Sequence, residues 1–115
     1  MRYALLICVD EKWMLSQSES AGAEILAGYG AWMQEMTERG VLQGGERLRP
    51  TSDATTVRVR DGEVITADGP FAETKEQVGG FFIVDAKDLD DATDIASRLP
   101  AALHGTIEVR PIWEM

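Results

Sequence analysis

The densest group of chemically capable side chains lies in the stretch Asp68-Gly69-Pro70-Phe71-Ala72-Glu73-Thr74-Lys75-Glu76-Gln77. Asp68 and Glu73 are candidate proton carriers, and proton transfer is the simplest chemistry such a turn could perform. Lys75 is near enough in sequence to tune a neighbouring carboxylate. Gly69 permits positive φ, Pro70 fixes the exit direction, and Asp68 can bond its own downstream backbone. A turn built this way can aim Asp68, Glu73 and Lys75 into a cleft. The same residues would also make a plain rigid connector. Thr74 with Gln77 fits a capping box, which predicts a short helical turn here.

Other residues compete for a role. Arg58, Arg60 and Arg110 fall on the non-apolar sides of predicted strands, where guanidinium groups could hold an anionic small molecule. Their ordinary alternative is cross-strand pairing with Glu46, Glu63 or Glu108, which contributes a fraction of a kcal/mol each. Ile25, Leu26, Tyr29, Trp32, Met33 and Met36 recur at helical spacing, which describes core packing first and a ligand-lining stripe second. His104 is the single histidine, and it lies where the sequence suggests a solvated loop. It has a suitable pKa for a base but no Ser or Cys nucleophile motif beside it. Cys8 is the single cysteine, so no internal disulfide can form, and its apolar run suggests a small packed hydrophobe. One Cys and one His cannot make a zinc site without mostly carboxylate ligands, so no metal or other cofactor is expected.

These residues need elements to position them. Tyr3 to Val9 is a continuous apolar run that reads as a strand buried on both faces. Asp10 to Gln17 reads as a connection. A helix follows, started by Ser18 or Ser20, or by a capping box of Ser16 with Glu19, and stopped by Gly40. Val41 to Leu48 reads as a strand broken by Gly44-Gly45. Thr55 to Arg60 alternates cleanly, and Asp61-Gly62 is the favoured pair for a type I′ hairpin returning along Glu63 to Thr66. Gly80 to Asp85 is another strand apolar on both faces. Asp88 caps a second helix striped by Leu89, Ala92, Ile95, Ala96 and Leu99 and ended by Pro100. Thr106 to Trp113 is the last strand.

The order contains two β-α-β units. Right-handed crossovers place both helices on one face of one sheet, a ferredoxin-like α+β arrangement with an extra β-hairpin. The other face is left bare, although the strands at Tyr3 to Val9 and Phe81 to Val84 are apolar on both sides. It needs a cover, and a second copy of the chain is the simplest one.

At 115 residues the chain is expected to be a single domain spanning 1–115. Its 44% hydrophobic and 27% charged residues are ordinary globular values and argue against disorder. A net charge of -9 repels phosphate backbones and anionic lipid surfaces, so direct nucleic-acid or membrane binding is not expected. No apolar stretch approaches a membrane span, and the opening residues lack the plan of a signal peptide. The expected location is cytoplasmic.

The stretch DGPFAETKEQVGGFF resembles the signature of the YCII-related, DGPF-type family of small bacterial proteins. TTVRVRDG before it, LDDATDIASRLP after it and IEVRPI near the end agree. The resemblance runs from Arg2 to about Ile112. It implies a ferredoxin-like sheet with two helices on one face that pairs into a dimeric α+β barrel. Some relatives carry a His-Asp pair in a cleft, with the histidine early in the first helix. Residues Ser16 to Met36 contain no histidine, so that pair does not transfer. The resemblance also implies an association with alternative sigma factors.

Two functions follow as expectations. The first is a homodimer binding a small molecule in a cleft near its interface, lined by Tyr29, Arg58, Phe71, Glu73 and Lys75, with Asp68 as the candidate catalytic acid or base. The second is a non-enzymatic accessory protein that contacts a protein partner in sigma-factor-dependent transcription.

Overall fold

The computed structural model describes residues 1–114. The apolar run forms the first strand, β1 (Arg2–Val9), and its burial alternates along the chain. Tyr3, Leu5, Ile7 and Val9 are buried on one side, and Arg2, Ala4, Leu6 and Cys8 are half-covered on the other. Asp10 then accepts hydrogen bonds from the backbone N–H groups of Lys12 and Trp13 and starts a short helix, α1 (Glu11–Leu15). Ser18 caps the long helix α2 (Glu19–Glu38) by accepting from the N–H of Ala21 at 3.1 Å. Gly40, at φ 73°, ends it in the left-handed conformation that glycine adopts without cost.

The chain continues through β2 (Leu42–Arg47), a single 3-10 turn at Thr51–Asp53, and the hairpin strands β3 (Thr55–Arg60) and β4 (Glu63–Asp68). It returns as β5 (Gln77–Asp85), α3 (Leu89–Ser97), α4 (Ala101–His104) and β6 (Thr106–Pro111). The main sheet has the order β2-β5-β1-β6, with every neighbouring pair antiparallel. β1 and β2 therefore run parallel with β5 inserted between them. The protein is α+β, with the strand order that two interleaved β-α-β units require.

Both main helices lie on the same side of this sheet. Trp32 and Met36 of α2 meet Ala92, Ile95, Ala96 and Leu99, from α3 and its C-terminal end, over Tyr3, Leu5 and Val84. The Trp32 indole N–H donates to the carbonyl of Ile95 at 3.0 Å, so its buried polar atom is satisfied. Trp32 is thus a core residue. A smaller cluster of Ile7, Val9 and Ala101 closes the end of the core beneath Met14 and Tyr29.

The opposite face of the sheet is bare. Ala4 and Leu6 pair with Ile83 and Phe81 on β5, and Cys8 pairs with Val78 and Thr106, so these side chains share that face. Glu46, Glu108 and Arg110 flank them, because they pair with Phe81, Leu6 and Ala4. Among the described residues no helix lies over this apolar stripe; the helices pack on the Tyr3, Leu5, Ile7 and Val9 side.

β3 and β4 form their own two-stranded sheet and join neither edge of the main one. Asp61 at φ 52° and Gly62 at φ 76° make the type I′ turn that the Asp-Gly pair predicts. Every residue from Thr55 to Asp68 except Thr56 is exposed. The hairpin is therefore an arm. The radius of gyration is 16.0 Å, against about 13 Å for a compact domain of this length. The chain is a slab 48 × 43 × 18 Å.

Several local expectations change. α1 occupies part of the stretch read as a connection, and α4 follows the proline that ends α3. Thr74 to Gln77 forms no helical turn. The Gln77 side-chain amide instead donates to the carbonyls of Ala72 at 2.8 Å and Thr74 at 3.2 Å. β5 starts at Gln77, ahead of the expected Gly80, because β1 pairs on past a bulge at Gly79 to Val78 and Gln77, while the Leu48 N–H just beyond β2 donates to the Gly79 carbonyl. Close approach explains the glycines there. A Cβ on Gly45 would lie 2.5 Å from the Phe81 carbonyl oxygen, and one on Gly80 would lie 2.9 Å from that of Glu46. Among the described residues, no helix is long and apolar enough to cross a membrane.

Candidate functional site

The DGPF turn, α1 and α4 all adjoin the end of the main sheet that holds Val9, Gln77 and Thr106. It is built by the chain reversals after β1, before β5 and before β6. The Asp68–Gln77 turn enters it under two restraints at the arm's base. Gly69, at φ 97°, donates its N–H to Ala54 at 2.8 Å and accepts from the Thr56 hydroxyl at 2.8 Å. Further along, the Thr74 hydroxyl donates to the Glu76 carbonyl at 2.5 Å. The Glu76 carboxylate accepts from the Thr106 hydroxyl at 2.8 Å, which ties the turn to β6.

One chain does not gather the expected site residues around a common point. Asp68, Glu73 and Lys75 are exposed, and none of them forms an ion pair among the described residues. Phe71 is 82% exposed. Arg58 pairs with Ile65 across the hairpin, whereas Asp68 pairs with Thr55, so the two side chains leave opposite faces of the arm. Tyr29 packs half-buried in the helical layer, across the sheet from the bare face. Burial pushes its phenol above the ordinary value, while a backbone hydrogen bond at Ala101 and the charge of Arg47 act against that. Arg110 pairs with Glu108, two residues earlier on the same strand, and not across strands as its ordinary alternative required. Arg58 and Arg60 form no ion pair among the described residues, although Arg60 stands opposite Glu63.

Three other side chains hold this end of the molecule together. Glu11 of α1 accepts from both the N–H of Thr51 at 2.8 Å and its hydroxyl at 2.6 Å. It thereby pins the 3-10 turn at the foot of the arm, forty residues along the chain. His104 is not the solvated loop residue its position suggests. Its ring stacks on Trp13 with centroids 4.5 Å apart, and both ring nitrogens are buried without a hydrogen-bond partner among the described residues. Desolvation lowers its pKa from the ordinary 6.5, against the opposing pull of Glu76 and of its own backbone. The neutral imidazole is the favoured form. Cys8 is half-covered on the bare face, and burial, with Glu108 and Glu76 nearby, raises its thiol pKa. The shift favours the thiol over the nucleophilic thiolate. The available signals were Asp10 as a cap for α1 and Pro100 as a starter for α4. Nothing in the sequence pointed to the Trp13–His104 stack.

Two open grooves mark the surface. One, of about 460 Å³, runs between α2 and α4 along Gln17, Glu24, Ile25, Arg98, Leu103 and His104. The other, of about 280 Å³, lies beside α3 and β6. Neither is lined by any residue of the Asp68–Lys75 turn. Among the described residues, no group of three or more His, Cys, Asp or Glu side chains is placed to hold a metal ion.

A four-stranded sheet with two main helices on one side, a bare second side and a DGPF turn at its end defines a class of small α+β proteins. The chain belongs to the YCII-related domain family, whose model matches residues 1–115. An uncharacterised protein of Rhizobium meliloti (strain 1021) is 40% identical over 114 residues, covering 97% of this chain and 92% of that relative.

Proposed function

We propose that the chain works as a homodimer of ferredoxin-like protomers, closed into an α+β barrel through the bare sheet faces, and that it binds a small organic molecule where the Asp68–Lys75 turn meets that interface. The observation that carries this reading is the half-covered apolar stripe of Ala4, Leu6, Cys8, Phe81 and Ile83, over which no helix packs among the described residues. A β-sheet buries an apolar face against something, and a two-fold partner offers an identical face. Glu46, Glu108 and Arg110 would rim the contact.

Catalysis, where present, rests on Asp68. An exposed carboxylate in one chain gains a reason to work as an acid or base only when a partner or a ligand desolvates it. Phe71, Glu73, Lys75, Arg58 and Tyr29 remain the proposed ligand contacts, with some of them supplied across the interface, since one chain does not assemble them.

The test is sedimentation equilibrium on the native chain and on Leu6→Glu, with a thermal-shift screen against small carboxylates, phosphates and aromatic metabolites. The proposal expects a native dimer, a monomeric Leu6→Glu, and at least one compound that stabilises the native chain but stabilises Asp68→Asn less. A native monomer that no compound stabilises would overturn it and favour the accessory role with a protein partner.

A further inference from the structure

We propose that the β3–β4 hairpin is an arm that lays its valine face on a second copy of the chain and carries Asp68 into the contact. This rests on the dimer reading above and adds to it the surface that holds the two copies together.

The register assigns the faces. Thr55, Val57 and Val59 lie opposite Asp68, Thr66 and Val64, so all six side chains share one face of the ribbon. Val57, Val59 and Val64 are 60%, 58% and 70% exposed. Three valines aligned on one face of a ribbon are the pattern of a half-buried strand pair, yet nothing among the described residues buries them. An isolated two-stranded hairpin is at best marginally stable in water. Its formation here points to an outside surface that completes it.

Area identifies the occupant as a second copy. A stable interface takes roughly 800 Å² from each partner. The bare stripe of the main sheet consists of five side chains already half-covered by their neighbours, so each has only part of its surface left to bury. The arm's valines are the other large uncovered apolar surface on a strand pair of the same chain. A two-fold partner meets both at once, whereas a different protein would have to match two separate surfaces. Asp68 stands on the valine face, so a partner that covers that face also encloses Asp68. The Asp68 site is then incomplete in one chain, which accounts for the scatter of its expected members.

The experiment measures the dimer dissociation constant of the native chain, of Leu6→Glu, and of the double variant Val59→Asp with Val64→Asp. Amide exchange of segment 55–68 is followed in the native chain across the dimerisation range. The proposal expects the double variant to weaken the dimer about 100-fold, as loss of central apolar anchors does. It also expects protection of segment 55–68 to rise with concentration. A double variant that dimerises like the native chain, beside a monomeric Leu6→Glu, overturns the arm and leaves the dimer standing. Exchange in 55–68 that is independent of concentration also overturns the arm, even where the double variant has lost its hairpin. A native chain that is monomeric throughout overturns both.

Discussion

The body and the arm are both antiparallel β structure, but they are stabilised in different ways. In the body every strand contributes side chains to a core that reaches zero exposure at Leu5, Met36, Val84 and Ile95. In the arm, the strands of TTVRVR and EVITAD hold their register by ladder bonds and by a type I′ turn, with no buried side chain at all. Pattern alone cannot separate these cases. The arm alternates more cleanly than β1 does, yet β1 is the buried strand. Alternation shows that a strand has a preferred face; it does not show whether the same molecule supplies the cover.

The largest test of this contrast is Leu5→Ala. Leu5 is fully buried among α2, α3 and the sheet, so truncation leaves a cavity and should cost about 3 kcal/mol in urea unfolding. A loss below about 1 kcal/mol would mean that the core is far looser than its burial implies. Gly45→Ala comes next. The added Cβ would stand 2.5 Å from both the Phe81 carbonyl oxygen and the Phe82 ring, so β2 must move away from β5. The expected cost is about 2 kcal/mol, and an unchanged unfolding midpoint would show that this edge yields freely.

The third test depends on pH. Burial lowers the folded-state pKa of His104 below its ordinary 6.5, so the unfolded chain binds the extra proton more readily. The stabilising contribution is complete above about pH 6.5 and is lost as pH falls through the lowered folded value. Unfolding midpoints should therefore drop from pH 7.5 to pH 5.5 and drop less in His104→Phe. Equal slopes in the two proteins would assign the effect to other groups. The smallest expected effect belongs to the arm. Val59→Ala removes an exposed side chain, so at concentrations where the chain is monomeric it should change stability by less than about 0.5 kcal/mol. A larger loss would show that the arm packs on its own body after all.

Much of the fold was legible because its signals are local. Ser18 and Asp88 both cap where a side-chain oxygen precedes an apolar-periodic run. Asp61-Gly62 fixes the hairpin turn, and Gly40 stops the long helix. The misses share a different cause. α1 is five residues long, too short to stand on propensity. It exists because Asp10 caps it and because Glu11 finds Thr51 at a distance that no sequence window spans. Thr74 and Gln77 have the spacing of a capping box, but their side chains satisfy carbonyls of the turn itself. The start of β5 was hidden by Gly79 and Gly80, residues that weaken a strand unless another backbone must pass close by.

The candidate site was less legible than the fold. The DGPF turn was identifiable from composition, and its base is as rigid as Gly69 and Pro70 suggest. Whether Asp68, Arg58 and Tyr29 converge depends on the pairing register and on which side of the sheet each element lies. Arg58 and Asp68 are ten residues apart on adjacent strands, and only the position of the Asp61-Gly62 turn decides that they face opposite ways. The His104 environment was invisible for the same reason: Trp13 lies ninety-one residues earlier and reaches it only through a helix that pattern did not reveal.

The Glu11 carboxylate also has a mechanical consequence. Its two bonds to Thr51 fasten the foot of the arm to α1, and Trp13, two residues further along α1, rests on the His104 ring. A lever, its pivot and an aromatic gauge are thus joined in series through a single carboxylate. Strain on the foot of the arm would therefore fall first on those two bonds and then, through α1, on the Trp13–His104 stack.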